Sequence, residues 1–291
     1  MPAKPHSLPA PLIVSLTSYP KRFGGLATAL KSLLAQRTRP DAVILWILRE
    51  DASALPKPVL RLTGKGLTIR VVDVDTRSYK KLVPAVAEYA QCFIATADDD
   101  VVYASDWLSQ LVDGIDLDRR EVVGLRGRWI QPLNHGASDH AFAPYESWPL
   151  VDSSTGASER VVLTGVGGIL YPPGCFGPEV TDMDRFLGLC PRADDLWFYF
   201  QLRKNGYVCR KVGDLRPLET VAGSQEESLW SANRSGENDQ SWYRLVRAFG
   251  NPLQHPTAPD PGDARKNRSS AEPEAVSSAA GTRARAGPST D

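Results

Sequence analysis

Cysteine is scarce: four residues in 291, Cys92, Cys175, Cys190 and Cys209, none in a CxxC spacing. That argues against a disulfide framework and leaves four reduced packing thiols as the expectation. An excess of charge is missing too, since Lys plus Arg and Asp plus Glu both number 34. No global field therefore draws the chain to nucleic acid or to an acidic membrane, and any phosphate must be met by a local cluster. No apolar run approaches the ~20 residues of a spanning helix; "AVILWIL" is too short. The start lacks a basic stretch followed by a long apolar core, so no signal peptide is read. Histidine is rare, and His135 and His140 share no metal spacing with cysteine; they read as surface residues. A cytoplasmic protein is implied, with peripheral contact at the inner face of a membrane left open.

What is present divides the chain in three. Residues 1–10 read as a Pro-rich flexible lead-in and 11–250 as one globular unit. Residues 251–291, rich in Pro, Ser, Ala and charge, read as a disordered tail that buries too little to offset its ordering entropy. The first half alternates apolar strands ("LIVSLTS", "DAVILWIL", "LTIRVVDV", "CFIATA") with helices. "GGLATALKSLLAQ" has leucines at helical spacing. "YKKLVPAVAEYA" is a helix with Pro84 tolerable near its first turn. "SDWLSQLVDGI" offers Ser105 as an N-cap. This pattern predicts an α/β fold with a mostly parallel sheet covered by helices on both faces. Ligands in such sheets bind beyond the carboxyl ends of the strands. The second half reads as Gly- and Pro-rich loops, the piece "GVGGILYPPGCF", and the helix "DDLWFYFQLRKNGY" stopped by Gly206.

The chemistry gathers at strand ends. "ADDDVVY" puts Asp98, Asp99 and Asp100 where a strand delivers them. In an extended backbone Asp98 and Asp100 point one way and Asp99 the other. Oxygen ligands of this kind suit Mg²⁺ or Mn²⁺ with substrate phosphates completing the shell; the alternative is an acidic turn capping the next helix. Arg77, Lys80 and Lys81 follow the third strand and would sit beside the aspartates if that strand neighbours the fourth. Metal plus basic side chains is what a diphosphate needs. "TSYPKRF" adds Lys21 and Arg22, with Thr17, Ser18 and Tyr19 able to hold a base or ribose. Asp194 and Asp195 open a helix, where the dipole lowers carboxylate pKa values; they are helix caps or a proton acceptor. The seven tryptophans are core residues or sugar-stacking platforms. The stretch from Arg128 to Trp148 reads as a long loop, a lid or an acceptor platform.

Together these residues resemble the GT-A glycosyltransferases, in particular inverting family 2-like enzymes of bacterial polysaccharide synthesis, from about Pro11 to Gly250. "LIVSLTSYPKR" looks like the first-strand nucleotide loop and "DTRSYKKL" like the diphosphate-side segment. "ADDDVVY" is similar to the DxD metal motif, "GVGGILYPP" to the Gly-rich loop near sugar and acceptor, and "DDLWFYFQLRKNGY" to the helix carrying the base. The resemblance implies a nucleotide-diphosphate sugar donor held by Thr17, Ser18, Tyr19, Arg22, Arg77, Tyr79, Lys80, Lys81, Asp98 and Asp99. It places Mn²⁺ or Mg²⁺ on Asp98 and Asp100, the sugar or acceptor beside Gly167 and Gly168, and the base at Asp195, with Asp194 as alternate. The acceptor would be a glycan, lipid-linked or free. Two departures stand out. "WILREDA" offers Glu50 or Asp51 in an unusual context for reading the base, and no QxxRW motif is present, which suggests single-sugar addition. The rival readings are a sugar-nucleotide nucleotidyltransferase, a phosphohydrolase with an aspartate nucleophile, and a non-catalytic carbohydrate-binding protein.

Overall fold

The computed structural model describes residues 4–133, 141–214, 219–220 and 236–260. In chain order the first half gives β1 (Lys4–Pro5), β2 (Leu12–Thr17), α1 (Phe23–Leu34), β3 (Thr38–Arg39), β4 (Ala42–Leu48), α2 (Lys57–Leu60), β5 (Leu67–Val72), α3 (Val83–Glu88), β6 (Phe93–Thr96), β7 (Val101–Val102) and α4 (Trp107–Gly114). The second half adds β8 (Glu121–Gly124), β9 (Gly127–Trp129), β10 (Val161–Leu163), β11 (Ile169–Tyr171), α5 (Met183–Leu189), α6 (Asp194–Lys204), β12 (Val208–Lys211), β13 (Glu219–Thr220) and α7 (Glu237–Phe249). Seven strands make the central sheet in the order β12-β8-β11-β6-β2-β4-β5. Only β11 runs antiparallel to its neighbours within it. This is the mostly parallel α/β architecture that the strand–helix alternation predicts.

Alternation along each strand splits the core in two. Leu12, Val14 and Leu16 of β2 pack on one face with α1 and α4 residues such as Leu26, Leu30 and Leu108. Ile13 joins Ile44, Trp46 and Ile94 on the other face, against Trp197, Phe198 and Phe200 of α6 and Trp242 of α7. α6 is buried nearly all round, as a helix with apolar residues on every side must be. The tryptophans bear out the core reading where they are most enclosed: Trp46, Trp148, Trp197 and Trp242 are fully buried. All four cysteines are free thiols.

The order of the strands decides where ligands can enter. From β2 the chain moves outward to β4 and β5, then returns to the opposite side of β2 to form β6. The carboxyl ends of β2 and β6 thus flank a topological switch point, the place where open α/β sheets leave a crevice.

Several expectations are corrected. The third strand of the sequence reading, β5, lies at the sheet edge, with β4 and β2 between it and β6. The lead-in is anchored: β1 pairs with β3, His6 Nε2 lies 2.8 Å from Asp41, and Leu8 is buried. Ser105 is not a cap; Asp106 precedes α4 and no side chain caps it. Residues 251–260, assigned to the tail, are held by the fully buried Arg203. Its guanidinium donates to the Pro252 and His255 carbonyls, and to that of Tyr207. Residues 261–291, together with His135 and His140, lie outside the described residues. Helix α7 was not foreseen, although Asn238, Ser241, Trp242, Leu245 and Val246 give it a buried stripe at helical spacing. Within the long loop, Arg128 donates to the Glu146 and Trp148 carbonyls, and buried Trp148 meets Trp242 edge-on, so the described parts are tied down. Among the described residues no helix is long and apolar enough to cross a membrane.

Candidate functional site

The aspartates leave β6 in a turn at Asp99 and Asp100, not in extended backbone. The expected split of Asp98 and Asp100 against Asp99 therefore fails, because side-chain alternation needs an extended chain. Instead Arg22 Nη1 bridges Asp99 (2.8 Å) and Asp100 (2.9 Å). Asp98 turns to Lys81, at 3.3 Å. Arg22 arrives from the segment after β2 and lies over the ring of Tyr19. Burial raises the Asp100 pKa, Arg22 opposes, and Asp98 and Asp99 add to the rise. One oxygen of Asp99, Oδ2, is buried without a partner.

Lys81 reaches this point although β5 is distant. The short helical turn Arg77–Lys81 crosses back over the sheet, and Ser15 of β2 donates to the Lys81 carbonyl at 2.5 Å. Trp46 Nε1 in turn donates to Ser15 Oγ, fixing the hydroxyl. Lys81 Nζ also lies 3.8 Å from Asp194 Oδ2. Burial disfavours its charge, but Asp98, Asp194 and Asp195 outweigh that and hold it protonated.

Asp194 and Asp195 occupy the first turn of α6, with Ala193 as its cap. Asp195 Oδ2 accepts from the Gly165 N–H at 3.0 Å. Its pKa is pushed up to about 7 by burial, with Asp194 adding and Lys81 opposing. This reverses the sequence expectation: the helix dipole would lower the value, but desolvation and the adjacent carboxylate are larger effects here. Gly165 is a residue the sequence reading passed over. A Cβ there would stand 2.8 Å from Lys81 Nζ and 3.2 Å from Asp195 Oδ1. Its place at the head of "GVGG" was the available signal.

The other expected site residues have partners of their own. Gly167 and Gly168 pack on Trp107: its Nε1 donates to the Gly167 carbonyl, and a Cβ on Gly168 would meet its ring at 2.7 Å. Tyr79 is fully buried, stacked on Phe186, and its hydroxyl donates to the Cys190 carbonyl, so it is packed in the core. Lys80 pairs with Asp75, and Arg77 is exposed at φ 56° with its N–H on Asp75. Thr17 Oγ1 donates to the Trp46 carbonyl, while Ser18 is buried with its hydroxyl unpartnered. Glu50 and Asp51 sit in a short helical turn after β4. Arg126 and Tyr145, which the sequence did not single out, are near enough to Asp195 for both to feel its charge.

No family model matches the chain, and no curated protein matches it. Among solved structures, it is similar to the mannosyltransferase PcManGT from Pyrobaculum calidifontis in complex with GDP-Man and Mn²⁺. That match has 14% identity over 84% of this chain and 68% of the other, with a TM-score of 0.48. It is also similar to S. aureus TarS 1-349 with UDP (13% identity, 70% and 59% covered, TM-score 0.41) and with UDP-GlcNAc (13%, 76% and 61%, 0.44). The chain thus spans roughly three fifths of the length of TarS 1-349. At TM-scores of 0.48 and below, these likenesses extend no role or ligand to this chain.

Proposed function

We propose that this chain moves a sugar from a nucleotide-diphosphate donor to an acceptor hydroxyl, with inversion, one sugar at a time. The observation that carries the reading is Lys81. It joins Asp98, at the mouth of the switch-point crevice, to Asp194 beside Asp195 on α6, so a donor-side turn and a proton acceptor share one cluster.

Among the described residues no three His, Cys, Asp or Glu side chains converge as a ready-made metal site. Mg²⁺ needs only one or two protein carboxylates when substrate phosphates and water complete its shell. The crowding of Asp98, Asp99 and Asp100, the raised Asp100 and the unpartnered Asp99 oxygen make a turn that a divalent cation would relieve. Asp98 and Asp100 are the residues that would hold Mn²⁺ or Mg²⁺. When bound, such an ion neutralises charge on the departing diphosphate.

The chain's own groups do the rest. Arg22 offers a guanidinium at the same mouth for phosphate oxygens. Asp195, with Oδ2 held by Gly165, accepts the acceptor's proton at Oδ1, and a pKa near 7 suits a base at neutral pH. Attack then comes from the α6 side, opposite the diphosphate, which inverts the anomeric carbon. The test is slow hydrolysis of a panel of nucleotide sugars with Mn²⁺ or Mg²⁺. Release of free sugar from one preferred donor supports transfer; formation of sugar 1-phosphate and nucleoside triphosphate only when pyrophosphate is added would favour a nucleotidyltransferase. No turnover and no thermal stabilisation by any donor would sink the reading.

A further inference from the structure

Arg126 stands in the turn between β8 and β9. Its carbonyl accepts from the Thr164 N–H at 3.0 Å, and its Nη1 donates to Thr164 Oγ1 at 2.9 Å. The next residue, Gly165, donates its N–H to Asp195. The guanidinium is thus fixed to the same short segment that holds the candidate base. It is half-buried, yet among the described residues it has no carboxylate within 4.0 Å. Among the described residues one of its five donors is used, on a neutral hydroxyl.

Other enclosed arginines behave otherwise. Arg128 spends its guanidinium on two carbonyls and on Glu146, and lies over the Tyr145 ring. Arg22 has two carboxylates and Arg210 the buried Glu121. Enclosed cations are ordinarily paired. Burial, and then Arg128, lower the Arg126 pKa, with the charges of Asp195 and Glu146 opposing from beyond ion-pair distance.

Arg126 and the donor-side turn follow the carboxyl ends of β8 and β6, which run the same way with β11 between them. β8 thus lies two strands from β6, roughly 10 Å across the sheet at ordinary strand spacing. Asp195 acts on Arg126 through its charge, and Val166, 42% exposed, adds an apolar surface next to Gly165.

We infer that Arg126 receives an oxyanion, carboxylate or phosphate, carried by the acceptor beside the hydroxyl that Asp195 deprotonates. The acceptor is then an acidic glycan, a statement that rests on the transferase reading. A planar fork of free N–H groups is built for such a group.

Ligand-observed NMR titration of the full chain, with diamagnetic Mg²⁺ and UDP or GDP, tests it. The probes are methyl β-glucuronide against methyl β-glucoside, and glycerol 1-phosphate against glycerol. Wild type should prefer the charged member of at least one pair by about tenfold, the size of one charge-assisted contact. The pair that shows the preference tells carboxylate from phosphate. Arg126→Gln should reduce the preference below about twofold, while Arg126→Lys, a point charge without the fork, keeps part of it. Should Arg126→Gln fail to fold by circular dichroism, a several-fold drop in Arg126→Lys stands as the expected result. Equal affinity for charged and neutral probes, no binding of any probe, or a preference that survives Arg126→Gln would overturn the inference. Wild-type donor hydrolysis is read separately; its absence defeats the transferase reading and leaves the binding preference to be judged by itself.

Discussion

Asp195 shows how a residue's surroundings can reverse its expected chemistry. Its position at a helix start favours the ionised form, yet burial and Asp194 push its pKa up to about 7. Two predictions follow at this scale. Asp195→Asn should lower kcat by about 10²–10⁴-fold, the usual worth of a general base. In the wild type, kcat/KM should fall as pH drops through about 7, because the base then holds its proton. The stability effect has the opposite sense. A carboxyl with a raised folded pKa stabilises the fold below its unfolded value near 4, and that contribution is lost as pH rises through about 7. Asp195→Asn should therefore melt above wild type at pH 8.5, with the gap closing toward pH 5; a constant gap would count against the shift. Gly168 is the second case. Its φ of 95°, with Trp107 and the Thr96 carbonyl where a Cβ would go, means that Gly168→Ala should cost about 1–3 kcal/mol in urea unfolding.

At the scale of elements, β12 is braced to β8 by charge. Arg210 Nε and Nη2 meet Glu121, which is fully buried, and Nη2 also donates to the Gly114 carbonyl at the end of α4. Removing one partner leaves a buried carboxylate uncompensated. Arg210→Met should destabilise by about 3–5 kcal/mol, whereas a well-packed apolar replacement of both partners should cost far less. A double-mutant cycle by chemical denaturation checks both halves. The same pairing explains why these two strands are absent from the sequence reading. "EVVG" and "VCRK" are too short to announce themselves, and each is defined by the other's parallel pairing.

For the whole molecule, the switch point between β2 and β6 brings residues from four distant stretches together: Arg22, Lys81, the 98–100 turn and the 194–195 pair. If the turn holds a divalent cation with the donor, EDTA should abolish donor hydrolysis, and Mn²⁺ should restore it. A nucleotide sugar at a hundred times its Kd should stabilise the chain by about 2.7 kcal/mol with Mn²⁺ and by much less without it.

The sequence by itself determined the strand–helix alternation, the parallel sheet and the apolar helix α6, because period and burial are written locally in residues such as Leu26, Leu30 and Ile44. It also marked the two acidic clusters as strand-end and helix-start features. Only the tertiary structure decided which aspartate faces which cation, since a turn at Asp99 cancels the alternation that an extended chain would impose. Only the fold could take Lys81 from the edge strand to Asp98, pair Lys80 with Asp75, pack Tyr79 in the core, and set Gly165 rather than Gly168 against Asp195. Those outcomes depend on strand order and on what a side chain meets across the sheet, and neither is encoded within any single stretch.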